Sequence, residues 1–108
     1  MNNEQKYVVV LITAKDKRQA RQIAQGLLKS RLAACVNLLD GVESLFRWKG
    51  KIDKAQEVLL IVKTKQKVFE KIVAKVKLLH SYQTPEIIAL PLTGGSWNYL
   101  QWINDEVV

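Results

Sequence analysis

Two periods alternate along the chain, and their order constrains its fold more than any other feature. Tyr7 to Thr13 is a continuous, largely β-branched run, Tyr-Val-Val-Val-Leu-Ile-Thr, which suits a central strand buried on both faces. Ala20, Ile23, Ala24, Leu27 and Leu28 then recur at helical spacing, one apolar stripe of an amphipathic helix. Asp16 stands where an N-cap belongs, and Lys29 and Arg31 fall where the negative end of the helix dipole favours cations. From Ala33 to Trp48 the pattern is mostly extended. Asp40-Gly41 inside it fits either a two-residue hairpin turn or a bulge within one long strand. Lys49-Gly50 is a second turn candidate. Val58 to Val62 is a buried strand ending near Thr64. A second helical stripe follows in Val68, Phe69, Ile72, Val73, Val76 and Leu79, with Lys67, Lys71 and Lys75 on the opposite face. Pro85 ends that region. Ile87 to Leu90 is another apolar strand closed by Pro91. After a Gly94-Gly95 loop, Ser96 can cap a short helix built on Trp97, Leu100, Trp102 and Ile103.

The order is β-α-β-β-α-β plus a C-terminal helix. This predicts an α+β, ferredoxin-like sandwich: two helices on one face of a mainly antiparallel sheet, with a long hairpin between the second and third strands. The 108 residues fit one domain, 1–108, with 1–6 as a flexible tail. One Cys and one His exclude a disulfide-stapled module and a zinc finger, which needs four ligands. No apolar run reaches the roughly 18 residues that cross a bilayer, and the first six residues hold no signal-peptide core. The expected address is the cytoplasm, with no membrane partner.

The extended run sets a length problem. If Ala33 to Trp48 is one bent strand, it rises roughly 50 Å at about 3.3 Å per residue. A globule of this size is only about 34 Å across. The hairpin then projects beyond its own core, carrying Leu45, Phe46 and Trp48 at its far end. Exposing such groups costs roughly 1.5–3 kcal/mol each, and a two-stranded ribbon is marginal alone. An oligomer that covers these three residues is expected.

Charge adds a weaker constraint. The net charge is +7, and between Lys49 and Lys77 nine Lys face three acids, Asp53, Glu57 and Glu70. Most of these Lys lie on amphipathic segments, so a solvated face accounts for them better than a nucleic-acid footprint. A base-stacking sheet needs aromatics on two central strands, and Val58 to Val62 has none. Gly94-Gly95 lacks the Lys-Ser/Thr of a phosphate loop. The chain after the first strand, Lys15-Asp16-Lys17-Arg18, is an ordinary helix start rather than the Arg cradle of an acylphosphatase.

Several ordered motifs carry a family resemblance. Ser30-Arg31-Leu32-Ala33-Ala34-Cys35-Val36-Asn37, Phe46-Arg47-Trp48-Lys49-Gly50-Lys51, Glu57 to Thr64, His80-Ser81-Tyr82-Gln83-Thr84-Pro85-Glu86-Ile87 and Tyr99 to Ile103 together resemble the CutA family of divalent-cation tolerance proteins, from about Val8 to Asn104. The resemblance implies a ferredoxin-like protomer in a tight homotrimer, with long strands pairing between neighbours. It also implies clefts between subunits, an architecture similar to PII-type signalling proteins, and no catalytic reaction. Divalent metal ions, copper among them, are the implied ligands.

In copper-binding members the resemblance places ligands at a first-strand Cys and at His residues before Tyr-x-x-Pro-Glu. Here Ile12 and Leu79 occupy two of those places, Ser81 replaces a Pro, and His80 is retained. His80 and Cys35 are therefore the candidate metal ligands, with copies from other subunits or a neighbour's carboxylate completing the site. In plain sequence terms, Cys35 reads as a small buried hydrophobe and His80 as a helix C-terminal residue. Lys51, Glu57, Lys63, Tyr82 and Glu86 are the expected cleft residues, able to hold a small polar ligand or a hydrated cation. No nucleophile is spaced with a base, so no enzyme is expected. The alternative function is a nucleic-acid-binding ferredoxin-like module.

Overall fold

A computed structural model describes residues 6–108. The expected flexible tail, apart from Lys6, lies outside the described residues. The elements are β1 (Tyr7–Ala14), α1 (Lys17–Lys29), β2 (Cys35–Trp48), β3 (Lys51–Lys65), a 3-10 turn (Gln66–Val68), α2 (Phe69–Leu79), β4 (Ile87–Pro91) and α3 (Trp97–Glu106). The strands pair antiparallel in the order β2-β3-β1-β4. This is the expected α+β arrangement of a four-stranded sheet with α1 and α2 on one face.

The two helical stripes meet alternate strand residues. Val8, Val10 and Ile12 of β1 and Val58, Leu60 and Val62 of β3 are almost fully buried, as are Ile23 and Leu27 of α1 and Ile72 and Val76 of α2. Each such side chain contributes roughly 1.5–3 kcal/mol when fully buried. Ile103 and Val107 add the end of α3 to the same core. Both expected caps form. The Asp16 carboxylate accepts from the Gln19 N–H at 2.8 Å, and Ser96 Oγ accepts from the Tyr99 N–H at 3.3 Å. Each satisfies a donor that the first helical turn leaves unpaired.

Arg31 differs from its sequence reading. α1 ends at Lys29, and Arg31 lies beyond it with φ at +56°, in the left-handed region that disfavours a side chain. Its guanidinium donates to the carbonyls of Asp105 and Glu106 at 2.8 and 3.0 Å, and its own carbonyl accepts from the Val108 N–H at 3.0 Å. It serves the C-terminus of α3 rather than that of α1, because the turn into β2 reverses its direction.

The long hairpin is one ribbon. Leu39 pairs with Leu59 and Val42 with Glu57, so Asp40 and Gly41 together oppose the single residue Val58. Gly41 has φ +72°, and its N–H donates to the Asp40 carboxylate at 2.9 Å. Asp40-Gly41 is thus the bulge, and the turn is at Lys49-Gly50, where both residues have positive φ, +51° and +80°, as a tight type I′ turn needs. β1 covers only Val58–Lys65 of β3; Lys51–Glu57 pair with β2 alone. The molecule is correspondingly long, 44 × 30 × 23 Å, with a radius of gyration of 14.5 Å against about 13 Å for a compact chain of this length.

The sheet face turned away from α1 and α2 is apolar. Register places Leu11, Ile61 and Ile88 on it at one level, and Val9 and Leu90 at the next. Leu39 follows beside Leu59. Leu39, Ile88 and Leu90 are about half exposed.

Arg31→Ala should lower stability by about 1–2 kcal/mol through the two lost carbonyl bonds, with the left-handed strain unchanged. Arg31→Gly, relaxed at that φ, should lose less. Chemical denaturation of the two variants checks the order, and equal losses would remove the backbone from the account.

Candidate functional site

The loop from α2 to β4 builds the site. His80 caps α2, its N–H donating to the Val76 carbonyl at 2.8 Å. Both ring nitrogens are then engaged. Nδ1 accepts from the Tyr82 N–H at 3.0 Å, which leaves the proton on Nε2, where it donates to the Thr13 carbonyl at 2.6 Å. The ring also packs at 4.6 Å, tilted, against that of Tyr82. The loop is therefore fastened to the end of β1 through a neutral imidazole.

That attachment aims Tyr82. Its hydroxyl donates to Glu57 Oε2 at 3.0 Å. Glu57 lies opposite Val42, immediately past the bulge, and is buried. Burial, then the hydrogen bond to Glu57 and the charges of Glu57 and Asp16, push the Tyr82 phenol up to about 12.

A cleft of about 690 Å³ opens beside this pair, between the ribbon and the loop. Phe46 and Trp48 give it aromatic walls, while Thr13, Glu86, Asp53 and Lys54 bring polar groups. Three carboxylates against one ammonium make it locally acidic in a basic protein. Its size suits a small organic molecule or a hydrated ion.

The expected site residues divide. Glu57, Tyr82 and Glu86 all line the cleft, and Leu45, Phe46 and Trp48 border it. Those last three are 68%, 39% and 48% exposed in the single chain, so nothing within the subunit buries them. Lys51 is at the ribbon tip opposite Trp48, and Lys63 pairs with Cys35, its ammonium donating to the Asn37 side chain. Thr13 and Asp53 were missed by sequence reasoning. Asp53 pairs with Phe46 only through the hairpin register, which a two-residue turn at Lys49-Gly50 would have given.

The metal candidates do not meet. Cys35 is at the register level of Lys63 and Val9, whereas His80 is bonded at Thr13. Four ladder steps separate these levels, about 13 Å along a strand. Ile12, at the first-strand position of the resemblance, is wholly buried in the core. Among the described residues no three His, Cys, Asp or Glu side chains are grouped to hold a metal ion. One subunit's residues do not fit a complete metal site.

Comparison with known proteins supplies the family. The CutA1 divalent ion tolerance protein family model matches residues 8–106. The chain belongs to the CutA1 family. The divalent-cation tolerance protein CutA of Thermus thermophilus is 47% identical over 97 residues, covering 90% of this chain and 94% of that protein. The solved structure of a Thermus thermophilus CutA1 has a TM-score of 0.93 at 45% identity, covering 94% of this chain and 99% of that one. The chloroplastic CutA of Arabidopsis thaliana is 41% identical over 91% of this chain, which spans only 54% of that longer protein. A CutA structure from Archaeoglobus fulgidus, described as periplasmic, superposes with a TM-score of 0.91 at 41% identity, over 94% of this chain and 99% of its own. CutA1 relatives thus carry chloroplast and periplasm in their names, and the names of the Thermus thermophilus and Archaeoglobus fulgidus proteins describe divalent-cation tolerance rather than a catalysed reaction. No helix among the described residues is long and apolar enough to cross a membrane.

The Tyr82 phenol has a definite titration signature. Its folded value stands above the unfolded one, so the stability it brings is complete below about pH 10 and is lost as pH rises through about 12. Absorbance titration should show a late-ionising phenol that Tyr82→Phe removes, and that variant's stability should fall less between pH 10 and 12. A wild-type protein with every phenol titrating near 10 would contradict the geometry.

Proposed function

We propose that this CutA1 family member is a cytoplasmic homotrimer that supports divalent-cation tolerance by binding a divalent cation or a small polar effector at clefts between subunits, without catalysis. The observation that carries the reading is the unfinished state of the single chain at one place. The cleft held by Glu57 and Tyr82 is bordered by Leu45, Phe46 and Trp48, all exposed, and the apolar sheet face continues from it. A neighbour covering these groups would close the cleft and remove roughly 1.5–3 kcal/mol of exposure penalty per large side chain.

The ligand chemistry follows from the carboxylates. Asp53, Glu57 and Glu86 favour a cation or a donor-rich polar molecule, and groups from an adjoining subunit would complete the coordination that one chain lacks. Copper is the softer-ligand version of this reading. It requires His80 to give up a ring hydrogen bond and Cys35 to come from another copy. The absence of catalysis is supported by the state of Tyr82. A phenol held near 12 by burial and by Glu57 is a poor nucleophile at neutral pH, and among the described residues no other hydroxyl or thiol is hydrogen-bonded to a carboxylate or an imidazole. A cytoplasmic address agrees with Cys35, the chain's one cysteine, being a free thiol.

Light scattering should give three times the subunit mass, and Phe46→Glu with Trp48→Glu should reduce it. A wild-type particle of one subunit mass would overturn the assembly. Calorimetric titration of the oligomer with copper and other divalent ions should show binding that Glu57→Gln weakens about tenfold or more. Tyr82→Phe, which keeps the carboxylate, should weaken it less. Equal binding by Glu57→Gln and wild type would remove this cleft from the function.

A further inference from the structure

The positive charge of this protein is segregated by the fold. Residues 15–31 and 66–79, the helix layer with its flanking turns, contain ten basic and two acidic side chains, while the rest of the chain has seven basic and eight acidic. This one layer therefore carries a net +8, and the rest of the chain is close to neutral. Of its two acids, Asp16 is committed to capping α1, and only Glu70 stands among the cations of α2.

The outermost stripes of the two helices are unlike a plain solvated face. On α1, Arg18, Gln22, Gln25 and Lys29 follow one another at turn spacing, opposite the buried stripe of Ala20, Ile23, Ala24 and Leu27. On α2 and the 3-10 turn before it, Lys67, Lys71, Ala74 and Leu78 do the same, opposite Ile72 and Val76. Leu78 is 82% exposed, the most exposed large apolar side chain described. Lysines flank a leucine that points away from every other element, on a helix pair that presents a broad, cationic surface. Polar solvent gives no reason for that leucine. A polynucleotide would engage the lysines and leave it idle, and the exposed aromatics able to stack bases belong to other elements, Phe46 and Trp48 to β2 and Trp97, Tyr99 and Trp102 to α3. An anionic bilayer surface engages both, because cationic side chains meet the headgroups while an apolar side chain enters the acyl boundary.

We infer that the α1–α2 layer is a peripheral docking surface for anionic lipid membranes, reached by Arg18, Lys29, Lys67, Lys71 and Lys75 and anchored by Leu78. The surface is opposite the apolar sheet face, so it is independent of the cleft and of assembly through that face. Membrane approach was not expected from the sequence, where the lysines of the second helix belong to a solvated face; the fold sets the cations of α1 beside them.

Co-sedimentation of the intact protein with vesicles tests this. Vesicles of zwitterionic phosphatidylcholine with 30% phosphatidylglycerol should bind it at 100 mM salt, and pure phosphatidylcholine vesicles should not. Lys71→Glu with Lys75→Glu should lower the affinity at least tenfold, and Leu78→Ser about tenfold. Lys71 and Leu78 are exposed and Lys75 is half-buried beside α1, and unchanged thermal unfolding shows that the variants are folded. No binding to the anionic vesicles, or equal binding to both kinds, overturns the inference. So does loss on charge reversal with no effect of Leu78→Ser, especially with tighter binding to duplex RNA, which would make the surface a polynucleotide site.

Discussion

β3 is nearly twice as long as the strand beside it, and much of the molecule follows from that mismatch. Fifteen residues of β3 meet eight of β1, so its first seven can pair only with β2. Backbone hydrogen bonding then obliges β2 to be long as well, since an unpaired stretch of β3 would present a row of bare donors and acceptors. The ribbon is the result. Beyond Glu57 neither α1 nor α2 reaches it, which is why Ile52, Leu45 and Trp48 are exposed. The bulge at Asp40-Gly41 sits at the boundary between covered sheet and free ribbon, where added twist re-aims the strands.

At that same boundary the α2–β4 loop is fixed. His80 holds Thr13 with one nitrogen and Tyr82 with the other, and Tyr82 holds Glu57. Helix end, strand end and ribbon base are thereby joined through one neutral imidazole and one phenol. Each link is worth about 1 kcal/mol on its own, more where an ion accepts. Their larger effect is positional, because a buried carboxylate with a fixed donor is a defined wall for a cleft.

Much of this was legible in the sequence, and the rest failed for identifiable reasons. Periodicity located the three helices, and the caps at Asp16 and Ser96 marked two of their starts. The resemblance in His80 to Ile87 put Tyr82 and Glu86 near Glu57, and the structure brings them together. Asp40-Gly41 was ambiguous because a bulge and a tight turn ask for the same left-handed glycine; only the register, two residues against one, separates them. Arg31 was misplaced because its backbone turns left-handed just past α1, which helical spacing does not register. Lys51 and Lys63 were grouped with the cleft by motif, yet strand register carries one to the ribbon tip and the other to the far end of β3. Asp53 was overlooked because its role comes from a cross-strand neighbour.

The segregation of charge also changes how a cation meets this protein. A net charge of +7 argues, on the sequence alone, against collecting metal ions. Yet the surplus lies on the helix layer, whereas Glu57 alternates with Val58 and Leu60 and so faces the other side of the sheet. Layers packed on a sheet stand about 10 Å from it, and the Debye length at physiological salt is about 8 Å. Much of the repulsion from Lys71 or Arg18 is therefore screened before it reaches the cleft mouth. A cation there responds chiefly to Asp53, Glu57 and Glu86 against Lys54. The sheet acts as a partition, with an acidic cleft on one side and a cationic surface on the other, and the chain's overall charge describes neither.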